Sequence, residues 1–569
     1  MRLRIPLVVL LGLAGACGPA PPQSAPVTAR VWPLSQRTAV VTGPQAMVVS
    51  GSPLASTVGK VILQQGGNAV DAAVAVGFAL TVVHPEAGNI GGGGFMVIRL
   101  KDGSVASLDY RETAPAAATR DMYLDSLGNV TDKSITGHLS VGVPGSVAGM
   151  AEAHRRFGRL PWRDVVEPAI ALARDGFTVD LFRSSSIRAD SARLSSFPAS
   201  AAAFLPGGKP PAPGTILRQP ELAATLTDIR DRGADGFYRG RVADLLVEEM
   251  RRGGGLITHA DLEGYRVRWR DPVTTRYRGH TIHSMGPASS GGVTLSLILN
   301  VMERWDRLPQ FGSADLLHFE AEAMRRAFTE RNRWLGDPDF VQMPLDRLLS
   351  KEYAAELQRE IDPARATPTP PFRPTSDGPS TTHYSVVDAE GNAVSTTTTL
   401  NNSYGSAVTV TGAGFLLNDE MDDFASAPGK PNMYGLVQGE ANAIAPGKRM
   451  LSAMTPSIVL DPSGNLLLVV GTPGGPTIIT QVYHVISNVI DHRMSLAEAV
   501  AAPRMHHQAL PDQMRIERGF DTTVIATLQS RGHEVRVGGP MGDIAAIIRT
   551  ARGWEGVADP RRGGGAEGY

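Results

Sequence analysis

Residues 380–400 read Ser-Thr-Thr-His-Tyr-Ser-Val-Val-Asp-Ala-Glu-Gly-Asn-Ala-Val-Ser-Thr-Thr-Thr-Thr-Leu. Two runs of β-favouring residues, 383–387 and 393–400, flank Asp-Ala-Glu-Gly-Asn, which has the composition of a tight hairpin loop. The preceding segment, 362–380, is rich in Pro, Thr and Ser, and proline removes a backbone donor and restricts its neighbour. The sequence therefore predicts a break in the chain followed directly by a β-hairpin.

Thr381 stands at the start of this hairpin. If the peptide bond before it were cut, Thr381 would become a new N-terminus that carries a hydroxyl nucleophile and its own α-amine as the base. The alternative is a threonine that only begins a strand, which is the default explanation for a lone Thr-Thr pair. The proline-rich break just before Thr381 favours the nucleophile.

The composition bounds the class of protein without naming a function. The chain has 569 residues, of which 42% are hydrophobic and 20% are charged, as in an ordinary soluble globular protein. This length predicts more than one packing unit, and we find no tandem repeat of fixed period. A formal net charge of −1 and a pI near 6.9 give no reason to expect nucleic acid or an anionic membrane surface as the main partner.

Residues 1–17 have the features of an export signal, because two arginines precede an apolar run that is too short to span a membrane stably. Cys17, the only cysteine, closes this run, and residues 18–45 are expected to form an irregular tether. The arrangement resembles a bacterial lipoprotein signal, in which the cysteine is lipidated. The alternative is a plain secretory signal cut near Ala16 or Ala20. Under both interpretations the folded part has no intramolecular disulfide.

The remaining pattern predicts helices around a mostly antiparallel set of strands, a layered α+β fold. Asn68 can cap a helix, and a glycine run at 88–94 follows that helix and precedes a strand, so close backbone approach is favoured over a phosphate-binding loop. The predicted helices are 55–65, 70–82, 146–157, 162–175, 220–233, 241–253, a helix from 293, 313–335, 477–491 and 495–501. The predicted strands outside the hairpin are the one after the glycine run, 105–110, 265–277, 280–284, 457–460 and 466–470. A terminal unit of strand, helix and strands is predicted up to 569.

Several longer motifs follow one another in a fixed order: Gly-Gly-Asn-Ala-Val-Asp-Ala (66–72), Gly-Asn-Ile-Gly-Gly-Gly-Gly-Phe-Met (88–96), Asp-Tyr-Arg-Glu (109–112), Thr-Thr-His-Tyr-Ser-Val-Val-Asp (381–388), Asn-Asp-Glu-Met-Asp-Asp-Phe (418–424) and Pro-Gly-Gly (473–475). They resemble those of gamma-glutamyltransferase precursors, the gamma-glutamyltranspeptidase family of N-terminal-nucleophile hydrolases, over about 46–569. The resemblance implies a four-layer αββα sandwich formed jointly by a large subunit, 46–380, and a small subunit, 381–569. It also implies that the chain itself cuts the bond between Ser380 and Thr381.

The resemblance assigns the reaction to Thr381 and its surroundings. The hydroxyl of Thr381 would first attack the carbonyl before it, and once freed it would attack the γ-glutamyl amide of glutathione or a related compound and pass the acyl group to water, an amino acid or a peptide. Thr399 would orient the new α-amine. Gly474 and Gly475 would form the oxyanion hole with their backbone N–H groups. Tyr434 lies in a segment similar to the lid of the lidded members.

An α-amino acid head needs a cation for its carboxylate and acids for its ammonium group. By resemblance, Arg111 would bind the carboxylate, Glu420 and Asp423 would bind the ammonium group, and Asn401 would contact either one. Without the family, these residues would be explained as a surface charge, an acidic loop and a turn.

Ser452 matches one of two adjacent serines that hold the carboxylate in many members. The second position is Ala453 here, so one hydroxyl is missing, which we expect to weaken glutamate binding by roughly 1.5–3 kcal/mol. Ala453 therefore keeps a second activity open, that of a cephalosporin (glutaryl) acylase on the same fold. Another alternative is a tethered binding protein that does not mature.

No cofactor or metal site is expected. His506 and His507 are adjacent on an extended segment and so point to opposite faces, and no other spacing supplies a convincing set of carboxylates or cysteines. The expected ligand is therefore a small molecule, with no nucleic acid. The expected location is the periplasm, with the protein either free or tethered by lipid at Cys17.

Overall fold

The computed structural model describes residues 34–368 and 380–569. The predicted export signal, Cys17 and residues 369–379 of the proline-rich segment lie outside the described residues. Within the described ranges, no helix has both the length and the apolar character that a membrane span requires.

The strands, numbered in chain order, are β1 Val41–Gly43, β2 Met47–Ser50, β3 Gly93–Arg99, β4 Val105–Asp109, β5 Phe177–Thr178, β6 Ile216–Leu217, β7 Arg268–Arg270, β8 Val273–Tyr277, β9 His280–Ser284, β10 Ser380–Val387, β11 Ala393–Asn401, β12 Ser457–Leu460, β13 Leu466–Gly471, β14 Met505–His506, β15 Met514–Glu517, β16 Val535–Gly538, β17 Ala545–Thr550, β18 Gly553–Ala558 and β19 Gly565–Gly568.

The α-helices are α1 Pro53–Gln64, α2 Ala69–Val83, α3 Ser146–Phe157, α4 Trp162–Asp175, α5 Leu181–Ala189, α6 Ser191–Ser195, α7 Pro198–Phe204, α8 Pro220–Arg232, α9 Asp235–Tyr238, α10 Arg241–Gly253, α11 His259–Gly264, α12 Gly291–Met302, α13 Ala314–Trp334, α14 Leu345–Leu349, α15 Lys351–Arg359, α16 Thr477–Ile490, α17 Leu496–Ala501 and α18 Thr522–Ser530.

Two seven-stranded sheets pack face to face at the centre of the molecule. The first sheet has the order β1-β18-β17-β13-β12-β9-β8, and the second has the order β19-β2-β10-β11-β3-β4-β7. Their neighbouring strands pair antiparallel throughout. Helices α1, α2 and α3 cover the second sheet, and α12, α16 and α17 cover the first. The predicted four-layer αββα sandwich is confirmed.

Each sheet takes strands from both sides of residue 380. In the second sheet, β10 and β11 lie between β2 and β3. In the first sheet, β12 pairs with β9, and β18 pairs with β1. Because ladder hydrogen bonds join the segments 34–368 and 380–569 in both sheets, neither segment can complete a sheet alone.

The glycine run before β3 serves close packing, as expected from its position after a helix. A Cβ atom on Gly91 would lie 2.1 Å from the carbonyl oxygen of Leu416, and one on Gly92 would lie 2.1 Å from that of Thr399. Asn89 fills the space so created, since its side-chain Nδ2 donates to the Thr399 carbonyl at 2.9 Å and its Oδ1 accepts from Gly92 N at 3.0 Å. The run therefore supports the end of β11 that faces Thr381.

The β10–β11 hairpin, strands β3 and β4 after the glycine run, and the longer helices agree with the sequence predictions to within a few residues. Asn68 caps α2 as predicted, accepting from the backbone N–H of Val70 and Asp71 at 2.9 and 3.0 Å. The prediction of a single strand over 265–277 was wrong. Pro272 interrupts it, and β7 joins the edge of the second sheet while β8 joins the edge of the first. Strands β1 and β2 and helices α5 to α7 and α15 were not predicted individually.

Candidate active site

The β10–β11 hairpin holds Thr381 opposite Thr399 in the ladder. The register shifts just before this pair, because Ser380 faces Asn401 while Thr381 faces Thr399, and such irregularities locally disturb the ladder. The Oγ1 atoms of Thr381 and Thr399 are 3.3 Å apart. Asn401, whose φ is 76°, donates its backbone N–H to Thr399 Oγ1 at 2.8 Å. The two hydroxyls are therefore held together at the start of β10.

A small pocket is lined by both of these threonines. Nine of the ten site residues predicted from the sequence line it, and the tenth, Gly474, directly precedes the lining residue Gly475. The lining residues are Arg111, Arg331, Thr381, Thr399, Asn401, Glu420, Asp423, Tyr434, Leu436, Leu451, Ser452, Ala453, Met454, Gly475, Pro476 and Ile478. The structure thus brings together residues that lie more than 300 positions apart in the sequence, from Arg111 to Gly475.

Arg111 forms the centre of a buried charge cluster. Its Nη1 lies 2.6 Å from Glu420 Oε2 and 3.5 Å from Glu112 Oε2, and its Nη2 donates to Asp423 Oδ2. Burial alone would lower the pKa of Arg111, but the carboxylates of Glu420, Asp423 and Glu112 outweigh burial and raise it. The sequence prediction gave Arg111 and these acids separate substrate groups, whereas the structure places them in contact with one another.

Burial also raises the pKa values of the acids in this cluster. It raises the pKa of Glu420 well above the ordinary 4.5, and it raises the pKa of Asp423 above 3.8, although Arg111 acts in the opposite direction on both. Burial likewise raises the pKa of Glu112 to about 7. A cation that entered the pocket would stabilise the ionised forms of these acids. The cluster is therefore suited to binding a positively charged group.

Gly474 and Gly475 form the turn that leads into α16. Their φ angles are 138° and 55°, in the region that glycine adopts without strain. A Cβ atom on Gly475 would lie 2.9 Å from the ring of Tyr434, so only glycine fits there. Since α16 begins at Thr477, the turn lies at the positive end of that helix, where negative charge is favoured.

Tyr434 lines the pocket beside Gly475. Its hydroxyl lies 2.7 Å from Asn401 Oδ1 and 3.0 Å from the Asn401 carbonyl oxygen, both of which can accept its proton. Gln508 Nε2 donates to the Tyr434 carbonyl at 3.0 Å, and the backbone N–H of Met433 donates to Asp422 Oδ2 at 3.1 Å. The segment around Tyr434 is therefore held by hydrogen bonds on several sides, with the Tyr434 ring beside Gly475.

Ser452 and Ala453 lie in a segment held by backbone hydrogen bonds to the loop before α12. Ser452 N donates to the Ala288 carbonyl at 2.9 Å, and Ser290 N donates to the Ser452 carbonyl at 2.8 Å. Ser452 Oγ accepts from Met454 N at 3.0 Å. The segment contributes one hydroxyl to the pocket, because Ala453 has none.

Arg331 is a pocket residue that the sequence analysis missed. It lies in the last turn of α13, where a basic residue is usually explained by the helix C-terminus. Its spacing from Met324 and Phe328, which are buried, places it on the buried face of that helix. That spacing is the one signal in the sequence that could have identified it.

The adjacent histidines do not form a common site. His506 contacts Gln508 Oε1 at 2.8 Å and Thr480 Oγ1 at 3.0 Å, whereas His507 contacts Asp512 Oδ1 at 3.1 Å. Among the described residues, no group of three or more His, Cys, Asp or Glu is arranged to hold a metal ion.

Comparisons with known proteins point to one family. The family model described as Gamma-glutamyltranspeptidase matches residues 55–569. The chain is 45% identical over 556 residues to a glutathione hydrolase proenzyme of Escherichia coli (strain K12), covering 96% of this chain and 95% of that protein. It is 40% identical over 515 residues to the Acylase ACY 1 proenzyme of Pseudomonas sp. (strain SE83), covering 88% and 90%. A solved structure, cephalosporin acylase from Bacillus halodurans, has a TM-score of 0.83 at 28% identity and covers 96% of this chain and 99% of its own.

The tether of Tyr434 gives a first prediction. Tyr434→Phe removes the hydroxyl bonded to Asn401 while keeping the ring over Gly475. Since one hydrogen bond contributes about 0.5–1.5 kcal/mol, we expect amide hydrogen exchange in residues 432–438 to become about 2–10-fold faster. Tyr277→Phe is the matched control, because its hydroxyl donates to Asp491 away from the pocket. Unchanged exchange in Tyr434→Phe would show that the hydroxyl does not hold this segment closed.

Proposed function

The chain belongs to the gamma-glutamyltranspeptidase family, and on that basis we propose that it is a glutathione hydrolase and γ-glutamyltransferase in which Thr381 is the nucleophile. The family membership and the relatives named glutathione hydrolase proenzyme support the activity. The assignment of roles to residues rests on one observation. The residues that match the family motifs converge on a single pocket beside Thr381.

The first step of the proposal is maturation. Thr381 Oγ1 attacks the carbonyl carbon of Ser380, the C–N bond breaks, and the acyl group moves to the hydroxyl as an ester. Water then hydrolyses the ester, leaving a carboxylate on Ser380 and a free α-amine on Thr381. Thr399, whose hydroxyl is 3.3 Å from the attacking oxygen, is the candidate orienting group. The products, 46–380 and 381–569, would stay associated because both sheets contain strands of each.

The second step is acyl transfer. The freed α-amine accepts the proton of the Thr381 hydroxyl, and Oγ1 attacks the γ-glutamyl amide carbon. The backbone N–H groups of Gly474 and Gly475 are the proposed donors to the developing oxyanion, at the favourable end of α16. The leaving amine takes the proton. Water or an incoming amine then attacks the glutamyl ester and restores the hydroxyl of Thr381.

Glutamyl rather than glutaryl is the proposed acyl group. The acids Glu420 and Asp423 line the pocket at the charge cluster, where a substrate ammonium group would be paired. Asn401, which is hydrogen-bonded to Thr399, and Ser452 also line the pocket and are the proposed further polar groups for the amino acid head. A glutaryl group is the second candidate, because a relative that is 40% identical is named Acylase ACY 1 proenzyme.

The proposed location is outside the cytoplasm, with a lipid attached at Cys17. The order of two arginines, an apolar run and a single cysteine supports this placement. We expect the wild-type protein to enter the detergent phase in Triton X-114 partition and Cys17→Ala to stay in the aqueous phase, because the variant lacks the thiol to which the lipid would be attached. A wild-type protein found in the aqueous phase would instead support a plain secretory signal cut near Ala16 or Ala20.

Maturation can be followed on a denaturing gel. We expect wild type to run as two fragments and Thr381→Ala to run as one, because the variant lacks the attacking hydroxyl. Thr399→Val should cut about 2–10-fold more slowly, the effect of losing one hydrogen bond. Thr396→Val makes the same change on the same strand outside the pocket and should cut at the wild-type rate. A wild-type chain that stays intact, like Thr381→Ala, would favour the binding protein that does not mature.

Selectivity tests the ammonium site. Wild type should hydrolyse γ-glutamyl-p-nitroanilide with a higher kcat/KM than glutaryl-p-nitroanilide. Asp423→Asn and Glu420→Gln should each lower kcat/KM for the glutamyl donor by about 10–100-fold, the usual effect of losing a hydrogen bond to a charged group. Both variants should leave the glutaryl donor nearly unaffected, since it has no amine. A marked preference of wild type for the glutaryl donor would establish the acylase instead.

A further inference from the structure

The glycine turn before α16 is held by Thr477, the first residue of that helix. The Thr477 hydroxyl donates to the Gly474 carbonyl at 2.8 Å, and the Thr477 backbone N–H donates to the same oxygen at 3.1 Å. A Cβ atom on Gly474 would lie 2.4 Å from Thr477 Oγ1. The hydroxyl can therefore reach this carbonyl only because residue 474 is a glycine.

Gln481, four residues further along α16, determines where the Thr477 hydroxyl sends its proton. Gln481 Nε2 donates to Thr477 Oγ1 at 2.5 Å, and Gln481 Oε1 accepts from Arg504 Nη1 at 3.4 Å. A guanidinium can only donate, so the amide oxygen faces Arg504 and the amide nitrogen faces Thr477. Thr477 Oγ1 thus accepts from Gln481 and gives its single proton to Gly474.

The side chain of Gln481 is itself fixed by its surroundings. It is completely buried, and a Cβ atom on Gly542 would lie 1.6 Å from its Oε1. Arg504, which donates to that oxygen, is held in turn, because its Nη2 donates to Asp559 Oδ2 at 2.6 Å and to the Val500 carbonyl at 2.9 Å. The Gln481 amide is therefore kept in one orientation.

A fixed Gly474 carbonyl also fixes the N–H group of Gly475. The bond between the two glycines is a trans peptide, in which C=O and N–H lie in one plane and point in nearly opposite directions. Because the Gly474 carbonyl is directed towards Thr477 in the first turn of α16, the Gly475 N–H is directed away from that turn. Gly475 is a lining residue of the pocket that contains Thr381.

We propose that Thr477 and Gln481 are positioning residues for the oxyanion hole. Gln481 orients the Thr477 hydroxyl, and this hydroxyl holds the Gly474–Gly475 peptide so that the Gly475 N–H is directed at the oxygen that becomes negative. The inference rests on the proposed function, in which this N–H group is an oxyanion donor. Since that charge develops only in the transition state, Thr477 and Gln481 affect the reaction rate and not the binding of the substrate.

Thr477→Val tests the hydroxyl while nearly keeping the shape of the side chain. In the matured variant, we expect kcat and kcat/KM for γ-glutamyl-p-nitroanilide to fall together by about 5–50-fold. This is less than the roughly 100–1000-fold loss of a whole oxyanion donor, because the Thr477 backbone N–H still holds the Gly474 carbonyl. Thr477→Ser restores the hydroxyl and should stay within about threefold of wild type.

Thr480→Val is the matched control. It removes another buried hydroxyl of α16, one that donates to the Thr477 carbonyl and not to the glycine turn. We expect kcat to stay within about threefold of wild type, since the Gly474–Gly475 peptide keeps its hydrogen bonds. A loss in Thr480→Val as large as that in Thr477→Val would assign the effect to helix packing and overturn the proposal.

Two ligands separate stabilisation of the transition state from binding. Glutamate carries the head group alone, and 2-amino-4-boronobutanoic acid carries a boronic acid in place of the γ-carboxyl. When Thr381 Oγ1 attacks the boron, its proton passes to the α-amine, and an oxygen of the tetrahedral boronate occupies the oxyanion position. Thr477→Val should weaken the boronic acid about 5–50-fold and glutamate by less than about threefold. Equal weakening of both ligands would assign Thr477 a purely structural role.

Gln481→Glu tests the direction of the Thr477 proton. The change nearly keeps the shape but replaces the donor Nε2 with a carboxylate oxygen, so the Thr477 hydroxyl would donate to that oxygen and not to Gly474. We expect the same losses as in Thr477→Val. The double variant should lose no more than about threefold beyond either single change, because both act through one hydrogen bond. Losses that multiply in the double variant would show that the two residues act separately.

The two proposals fail in different ways. A matured wild-type enzyme without activity on γ-glutamyl-p-nitroanilide would overturn the proposed function. An active wild-type enzyme whose kcat and boronic acid affinity are unchanged in Thr477→Val would overturn only the role of Thr477 and Gln481. If Thr477→Val does not mature on the gel, both ligand affinities are measured with Gln481→Glu. A selective loss of the boronic acid then supports the proposal, and an unchanged ratio of the two affinities overturns it.

Discussion

The ladder hydrogen bonds between β10 and β11 hold Thr381 opposite Thr399, inside a sheet whose other strands come from both ends of the chain. Asn89 and the glycines before β3 pack against the end of this ladder. Asn89 donates to the Thr399 carbonyl, and a Cβ atom on Gly92 would collide with the same carbonyl. The loop that carries Tyr434 and the turn before α16 close around the same end. The position of one hydroxyl therefore depends on packing contributed by widely separated parts of the sequence.

The pocket contains buried charged side chains, and burying them lowers the stability of the fold. Buried carboxyls at Glu112, Glu420 and Asp423 surround Arg111, while Arg331 lies nearby among neutral partners. Charges removed from water destabilise a fold unless each is paired with good geometry. Contact between Arg111 and the acids reduces this cost. Under the proposed function, the ammonium group of the substrate would reduce it further by pairing with the acids.

The sequence predicted the local features of the fold and, through the family motifs, most of the pocket. Asn68 as a helix cap, the β10–β11 hairpin and the glycine run are determined by nearby residues, so their patterns are visible without a structure. The split of 265–277 between two sheets depends on which strands lie alongside, and the pattern of that run does not contain this information. Arg331 was missed although its spacing from Met324 and Phe328 places it on the buried face of α13, because that spacing does not say what the buried face packs against. Whether an arginine in a last helical turn faces solvent or a pocket is decided by what packs against it.

The residues proposed for the substrate carboxylate and those proposed for its ammonium group differ in which substrates they can distinguish. Glutamyl and glutaryl groups share the terminal carboxylate and differ only in the amine. Groups proposed to bind the carboxylate, such as Ser452, would therefore affect both acyl groups alike and would not distinguish a hydrolase from an acylase. The missing hydroxyl at Ala453 is for this reason no argument for glutaryl, although the sequence alone left that open. Under the proposed function, selectivity comes from Glu420 and Asp423, because the glutamyl group has an ammonium group to pair with these acids and the glutaryl group has none.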